Sequence, residues 1–275
     1  MKCAWKELLA ILPSKLSREV DRRGKEDVQE IRLRLGKTPQ LLWGRESVWL
    51  DAPVTGEDIQ FCVNMASRYS PWAAQSIADG YITAQGGHRI GICGEAIMQQ
   101  GKITGIRQAE SLCIRVARDF PGIGRVWTSL RGSILVLGPP GSGKTTLLRD
   151  ICRGLSGKET VAVVDERGEL FPECFDRGQA LDVLTGCRKA EGIDMVLKTM
   201  GPHTIAVDEI TSEADAAALL RAGWCGVRLL ATAHAANFKD LKSRPVYRSI
   251  LAEHLFDHIL ILSRDKSRPV ERMDL

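Results

Sequence analysis

Apolar and polar positions follow two different rhythms along this chain, and the change falls near Arg131. Before it, apolar runs are short and interrupted. Residues 1–20 set Leu8, Leu9, Ile11, Leu12 and Leu16 among Lys2, Lys6, Lys15 and Arg18, a spacing that lays one apolar stripe along an amphipathic helix. Residues 31–35 alternate apolar with basic, as a half-buried strand does. Gly36-Lys37-Thr38-Pro39 breaks that run, and 41–49 resumes it around Gly44. Residues 58–69 read as a helix. Residues 81–96 are strand-like but dense in glycine (Gly86, Gly87, Gly91, Gly94), which suits a hairpin, and 112–116 form a further strand. The pattern predicts a smaller α+β domain over 1–122. Pro121-Gly122-Ile123-Gly124 reads as its linker to a second domain over 123–275.

In the second rhythm, unbroken apolar runs alternate with helical stretches. Strands are expected at 134–137, 161–164, 204–207, 227–232 and 259–262, with helices from Lys144, near 192–200 and over 213–222. Strands without internal polar positions, separated by helices, indicate a parallel-dominated sheet covered on both faces, an α/β domain.

One run within it carries chemistry. Gly138, Pro139, Pro140, Gly141, Ser142, Gly143, Lys144, Thr145 and Thr146 follow an apolar strand and open a helix. That is the context a phosphate-binding loop requires. Its glycines let backbone N–H groups wrap phosphate oxygens, and the helix N-terminus adds a favourable field. Lys144 places a point charge at the β/γ-phosphates, and the Thr145 hydroxyl is set to ligate Mg²⁺.

The loop alone specifies binding, so hydrolysis must be argued from other residues. Asp208 and Glu209 end the apolar run 204–207, where ligands of an open α/β sheet sit. Asp208 is expected to hold the Mg²⁺ shell and Glu209 to polarise the attacking water. Glu166 ends the run 161–164 in the same way, and His234 follows 227–232. Three strand ends thus present Glu166, Glu209 and His234 on the sheet edge expected for the loop. His254 and His258 share helical i, i+4 spacing but lack the glutamate of a zinc-protease motif, and no structural metal is expected.

Several runs together resemble the stage III sporulation AA ATPases of endospore-forming bacteria. They are the loop extended through Asp150, Val-Val-Asp-Glu-Arg-Gly-Glu (163–169), Asp-Val-Leu-Thr-Gly-Cys-Arg-Lys-Ala-Glu-Gly (182–192), Val-Asp-Glu-Ile (207–210) and Ala-Thr-Ala-His (231–234). In the first half, 30–36, 86–94 and 111–118 fit the same family. That family is similar to the type II/IV secretion ATPases, hexameric rings with an N-terminal domain and a RecA-like P-loop motor. The resemblance implies Mg²⁺-dependent ATP hydrolysis, with Lys144 and His234 (histidine box) assisting Glu166 (acidic box) and Glu209 (Walker B). It also implies a homo-hexamer at the inner face of a membrane, held by channel proteins between mother cell and forespore. Secretion ATPases usually carry glycine where this chain has Asp208, which leaves open whether Glu166 or Glu209 is the principal base. Rings of this kind complete their sites with arginines of a neighbouring subunit, and Arg89, Arg107 and Arg115 are the candidates. Arg115 alternates with Ile114 and Val116, so it should point away from its own core.

Composition narrows this picture slightly. The 275 residues are 44% hydrophobic and 26% charged with a net charge of +4, an ordinary soluble balance without a concentrated basic character. Nucleic acid is not an expected partner: aromatics are 5%, and no histidine has an arginine four residues before it. The rival readings are a nucleic-acid-associated ATPase and a nucleotide-gated scaffold without turnover. The eight cysteines sit singly and are expected reduced, as in a cytoplasmic protein. No stretch approaches the roughly 20 apolar residues that span a bilayer.

Overall fold

The computed structural model describes residues 2–24, 28–43, 46–68, 77, 80–172, 174–265 and 267–275. Chain contacts divide it into two compact units, Met1–Asp119 with Pro172–Cys174, and Phe120–Phe171 with Phe175–Leu275.

The first unit opens on β1 (Lys2–Cys3), then α1 (Trp5–Ala10) and α2 (Ser14–Gly24). The single helix expected over 1–20 is therefore two. Pro13 has no N–H to donate and its ring obstructs a helix entering from before, so it starts a helix but cannot sit inside one. Its carbonyl accepts from Ser17 N–H at 2.8 Å, the first bond of α2. The stripe still serves the core: Trp5, Leu8, Ile11, Leu12 and Val20 are buried together, and Trp5 Nε1 donates to Asp21 Oδ1 at 2.7 Å.

Six antiparallel strands follow in the order β4-β3-β2-β7-β6-β5. They are β2 (Glu30–Arg34), β3 (Gln40–Trp43), β4 (Glu46–Trp49), β5 (Tyr81–Thr83), β6 (Arg89–Gln99) and β7 (Lys102–Arg115). Between β4 and β5 lies α3 (Gly56–Ser67), capped by a reciprocal Thr55–Asp58 pair. Gly44 and Tyr69, which the sequence reading included in a strand and in this helix, lie outside the described residues. The expected hairpin is present: β5 and β6 pair antiparallel from Tyr81–Gly91 to Thr83–Arg89, with Gly86 and Gly87 at φ 80° and 75° in the connection. A second hairpin, not expected from sequence, turns at Gln100-Gly101, both at positive φ (49° and 75°), and joins β6 to a β7 that begins ten residues before 112. Gly94 permits the bulged pairing, because a Cβ there would fall 1.8 Å from Gln108 O. Ile31, Leu33, Ile90, Ile92, Leu112 and Ile114 point into the core, leaving the alternate arginines outward. Finally β8 (Arg118–Asp119) pairs antiparallel with β1.

His88 ties this unit's ends together. The ring is fully buried, accepts from Ala117 N–H through Nδ1 (3.2 Å) and donates from Nε2 to Ala4 O (2.8 Å). That pairing requires the neutral form, and burial lowers the ring's pKa below its ordinary 6.5. The unfolded chain therefore takes up a proton near pH 6.5 that the folded chain refuses. The stability this group provides is whole above pH 6.5 and is lost as pH falls from there towards the lowered folded value, by up to about 1.4 kcal/mol per pH unit. Urea midpoints followed by tryptophan fluorescence from pH 8 to 5 should show this slope, and His88→Gln should flatten it.

The second unit is a seven-stranded sheet in the order β11-β10-β12-β13-β9-β14-β15. Its strands are β9 (Ile134–Leu137), β10 (Val161–Asp165), β11 (Leu181–Thr185), β12 (Thr204–Val207), β13 (Arg228–Ala233), β14 (His258–Ile261) and β15 (Glu271–Asp274). All pairings are parallel except β14–β15. The edge strands β11 and β15 were not expected from sequence. Helices α4 (Lys144–Leu155), α5 (Lys189–Thr199), α6 (Glu213–Trp224), α7 (Phe238–Ser243) and α8 (Arg248–Ala252) complete the unit. One sheet face packs on α5 and α6 through Val164, Ile205 and Leu229. The other packs on α4 through Val136, Val163 and Leu230. His254 sits in a turn at φ 49° and His258 on β14, so their spacing is not helical and they share no helix face. All eight cysteines are free thiols.

Candidate functional site

In-register parallel pairing brings the carboxyl ends of β9, β13, β12 and β10 to one edge, and four sequence segments meet there. The phosphate loop leaves β9 at Leu137. Gly141 and Gly143 adopt φ 76° and 99°, which a side chain would resist. At Gly138 a Cβ would lie 2.4 Å from Ser142 Oγ. That hydroxyl is buried without a hydrogen-bond partner among the described residues. No side chain among them caps the first turn of α4, whose N–H groups open towards the loop. An orphaned hydroxyl and an uncapped helix start suit phosphate oxygens.

Lys144, the first residue of α4, donates from Nζ to Pro139 O (3.1 Å) and to His234 Nδ1 (3.0 Å). An ammonium has no lone pair, so the imidazole must accept, and its proton resides on Nε2. Nε2 lies 2.9 Å from Glu209 Oε1. A neutral His234 therefore links the loop lysine to Glu209. Burial lowers the Lys144 pKa from the usual lysine value, opposed by the charges of Asp208 and Glu209.

Asp208 is held from two sides, by Thr145 Oγ1 on Oδ2 (2.8 Å) and by Thr232 Oγ1 on Oδ1 (2.7 Å). Thr232 also accepts from Glu209 N–H at 2.8 Å, so one buried hydroxyl on β13 fixes both acidic residues of β12's end. Glu209 has φ 55°. The next residue is anchored as well: Ile210 N–H donates to Thr232 O (2.9 Å), and Ile210 O accepts from Tyr247 Oη (2.9 Å). Thr145 and Asp208 offer converging hard oxygens, the donor chemistry that Mg²⁺ takes.

At the end of β10 the two acids have different tasks. Asp165 is buried and accepts from the N–H groups of Glu169, Leu170 and Phe171 at 2.9, 2.7 and 3.2 Å. Burial raises its pKa against those bonds. Arg149 of α4 reinforces the same turn, donating to Glu169 O (2.8 Å) and to Leu170 O, with its guanidinium 4.8 Å from the centre of the Phe175 ring. Glu166 faces the cleft instead, and Lys189 Nζ donates to its Oε2 at 2.6 Å. Sequence reasoning assigned no role to Thr232, Lys189, Arg149 or Tyr247. A hydroxyl ending an apolar strand was the available signal for Thr232. The partners of the others are visible only in three dimensions.

Lys144, His234 and Glu209 thus form one contact chain and Thr145, Asp208 and Thr232 another, joined where Thr232 accepts from the Glu209 N–H, with Glu166 lining the same cleft as Asp208 and Glu209. The candidate arginines belong to the first unit. Arg115 is exposed, with its Nε 4.0 Å from Glu30 Oε2, while Ile114 and Val116 are buried. Arg107 Nη1 meets Glu95 Oε1 at 2.9 Å in the open, and the Arg89 guanidinium lies 4.4 Å over the Tyr81 ring.

A mostly parallel sheet with a strand–loop–helix phosphate cradle, and β13 between the loop strand and the acidic strand, is a P-loop ATPase fold. The Legionella pneumophila ATPase DotB superposes with a TM-score of 0.63 at 17% identity, covering 91% of this chain and 76% of that one. The pilus retraction motor PilT with bound ADP gives 0.59 at 15% identity over 90% and 76%. At such identities the likeness establishes the fold. The chain itself belongs to the family described as Sporulation stage III, protein AA, which matches residues 4–272. Within it, Stage III sporulation protein AA of Bacillus subtilis (strain 168) is 34% identical over 281 aligned residues, 94% of this chain and 91% of that relative. Among the described residues no helix is long and apolar enough to cross a membrane.

Proposed function

We propose that the chain is a Mg²⁺-dependent ATP hydrolase acting on the β–γ phosphoanhydride. The observation that carries this reading is the continuous contact chain from Lys144 through His234 to Glu209, beside Thr145, Asp208 and Thr232. A phosphate binder needs only the loop. A carboxylate fixed by backbone and imidazole next to the loop lysine suits proton removal from water. Phosphates entering the cradle offer Lys144 a stronger acceptor than a neutral imidazole, so the ammonium leaves His234 for them. Glu209 then accepts the proton as a water O–H bond breaks and the water oxygen bonds to the γ-phosphorus. The bridging bond breaks, and its electron pair stays on the departing ADP oxygen. Thr145 and Asp208 would hold Mg²⁺, which supplies positive charge to the phosphate oxygens when bound.

We extend this reading to a homo-hexameric motor that energises or assembles a channel complex between mother cell and forespore, cytoplasmic and peripheral at the membrane through its partners. Family membership supports the sporulation setting, and the secretion-motor fold supports the ring. Arg89, Arg107 and Arg115 are the candidates for completing a neighbour's site. Purified protein should release phosphate from ATP only with Mg²⁺. Its mass in solution should rise towards six subunits with a non-hydrolysable ATP analogue; a monomer under every condition would count against the ring.

A further inference from the structure

The pairing of Lys189 with Glu166 has no evident use in holding the fold together. Lys189 is the first residue of α5, where the helix macrodipole is positive and a cation is unfavourable. It is also buried, which penalises an ammonium a second time. A lysine chosen for helix stability would sit at the other end of α5, as Lys198 does. What offsets both penalties is the Glu166 carboxylate, 2.6 Å away on a residue only partly buried and lining the cleft with Asp208 and Glu209. The fold aims this contact. β10 and β11 are parallel neighbours in register from Val161–Leu181 to Asp165–Thr185, so they finish side by side. Glu166 comes one residue after β10 and Lys189 four after β11. Gly192, whose Cβ would lie 2.5 Å from Val164 Cγ1, lets α5 press close enough to make the contact.

The geometry points to Lys189 as the positioning residue that divides the work between the two glutamates. Resting on the hydrolase reading above, it assigns Glu209 the proton-accepting role and Glu166 a fixed, charge-compensated place that orients the water and metal side of the cleft. The two carboxylates have different partners. Glu209 contacts a neutral imidazole that becomes free to turn when Lys144 goes to phosphate. Glu166 has one oxygen occupied by a buried cation. A charge-assisted bond from an ammonium fixes the Glu166 carboxylate in one orientation, which suits a positioning role.

The test is a double-mutant cycle in the full-length protein, comparing Lys189→Met, Glu166→Gln and their combination under saturating Mg·ATP, with Lys189→Arg as the conservative variant. Misplacing one orienting group lowers kcat by about 10–100-fold. The expectation is that both single variants lose this much, with KM for ATP within about threefold of wild type. The double variant should lose no more than either single, because each removes the same interaction. Lys189→Arg should recover most of the rate, because it keeps charge and donor. Melting curves of the same four variants in nucleotide-free protein check that each one is folded. Lys189→Met turning over within twofold of wild type, or losses that multiply in the double variant, overturns the assignment while leaving the hydrolase intact. Absence of turnover in wild-type protein under ring-forming conditions overturns both.

Discussion

Lys144→Ala should lower ATP turnover by at least about 10³-fold, the upper range for a single preorganised electrostatic group at a reacting centre. The size follows from the two roles this ammonium holds. It is the loop's only cation, and its donation to His234 Nδ1 fixes the tautomer that contacts Glu209. Alanine removes the phosphate partner and releases the imidazole together. It also removes the positive charge that Asp208 and Glu209 favour. Phosphate release by purified oligomer is the measurement, with a melting curve beside it to show that the variant is folded. A rate within tenfold of wild type would remove the foundation of the hydrolase reading.

Glu209→Gln should give the second largest effect, a fall of about 10²–10⁴ in kcat, the range that general base catalysis contributes. The substitution is nearly isosteric, and the amide oxygen still accepts from His234 Nε2. The Glu209 N–H bond to Thr232 is untouched, since it belongs to the backbone. Binding of a fluorescent ATP analogue should therefore persist while hydrolysis stops. The contrast with Glu166→Gln, expected to lose no more than about 100-fold, identifies the base. Equal losses at the two positions would show that the glutamates share the role.

The phosphate loop was legible in the sequence because its chemistry is local. Glycines at 141 and 143, Lys144 and Thr145 are dictated by the loop's own backbone and by the helix that follows. Asp208, Glu209 and His234 were legible for a related reason: an apolar run that stops at a charged residue marks a strand end, and parallel strands share one edge. The edge strands were not. β11 is largely half-exposed and β15 nearly all polar, so neither offers the unbroken apolar run that identifies a covered strand. The distal arm of β7 has few buried positions and thus no alternation to read. In residues 1–20 the apolar stripe masked Pro13, which carried the correct signal. Lys189 was hidden for a deeper reason. Its partner is 23 residues away, and nothing in either segment signals the other until β10 and β11 are known to be neighbours.

The backbone at Glu209 has a consequence for how this protein can change. A glutamate at φ 55° carries a steric penalty of about 1–2 kcal/mol, which glycine would not incur. The residue that best fits the backbone is thus one that cannot accept a proton. Stability and turnover pull in opposite directions at a single codon, and the Thr232 bond to the Glu209 N–H helps hold the strained carboxylate in place. Drift towards a more robust fold would pass through a protein that still binds nucleotide and still folds, yet no longer turns over.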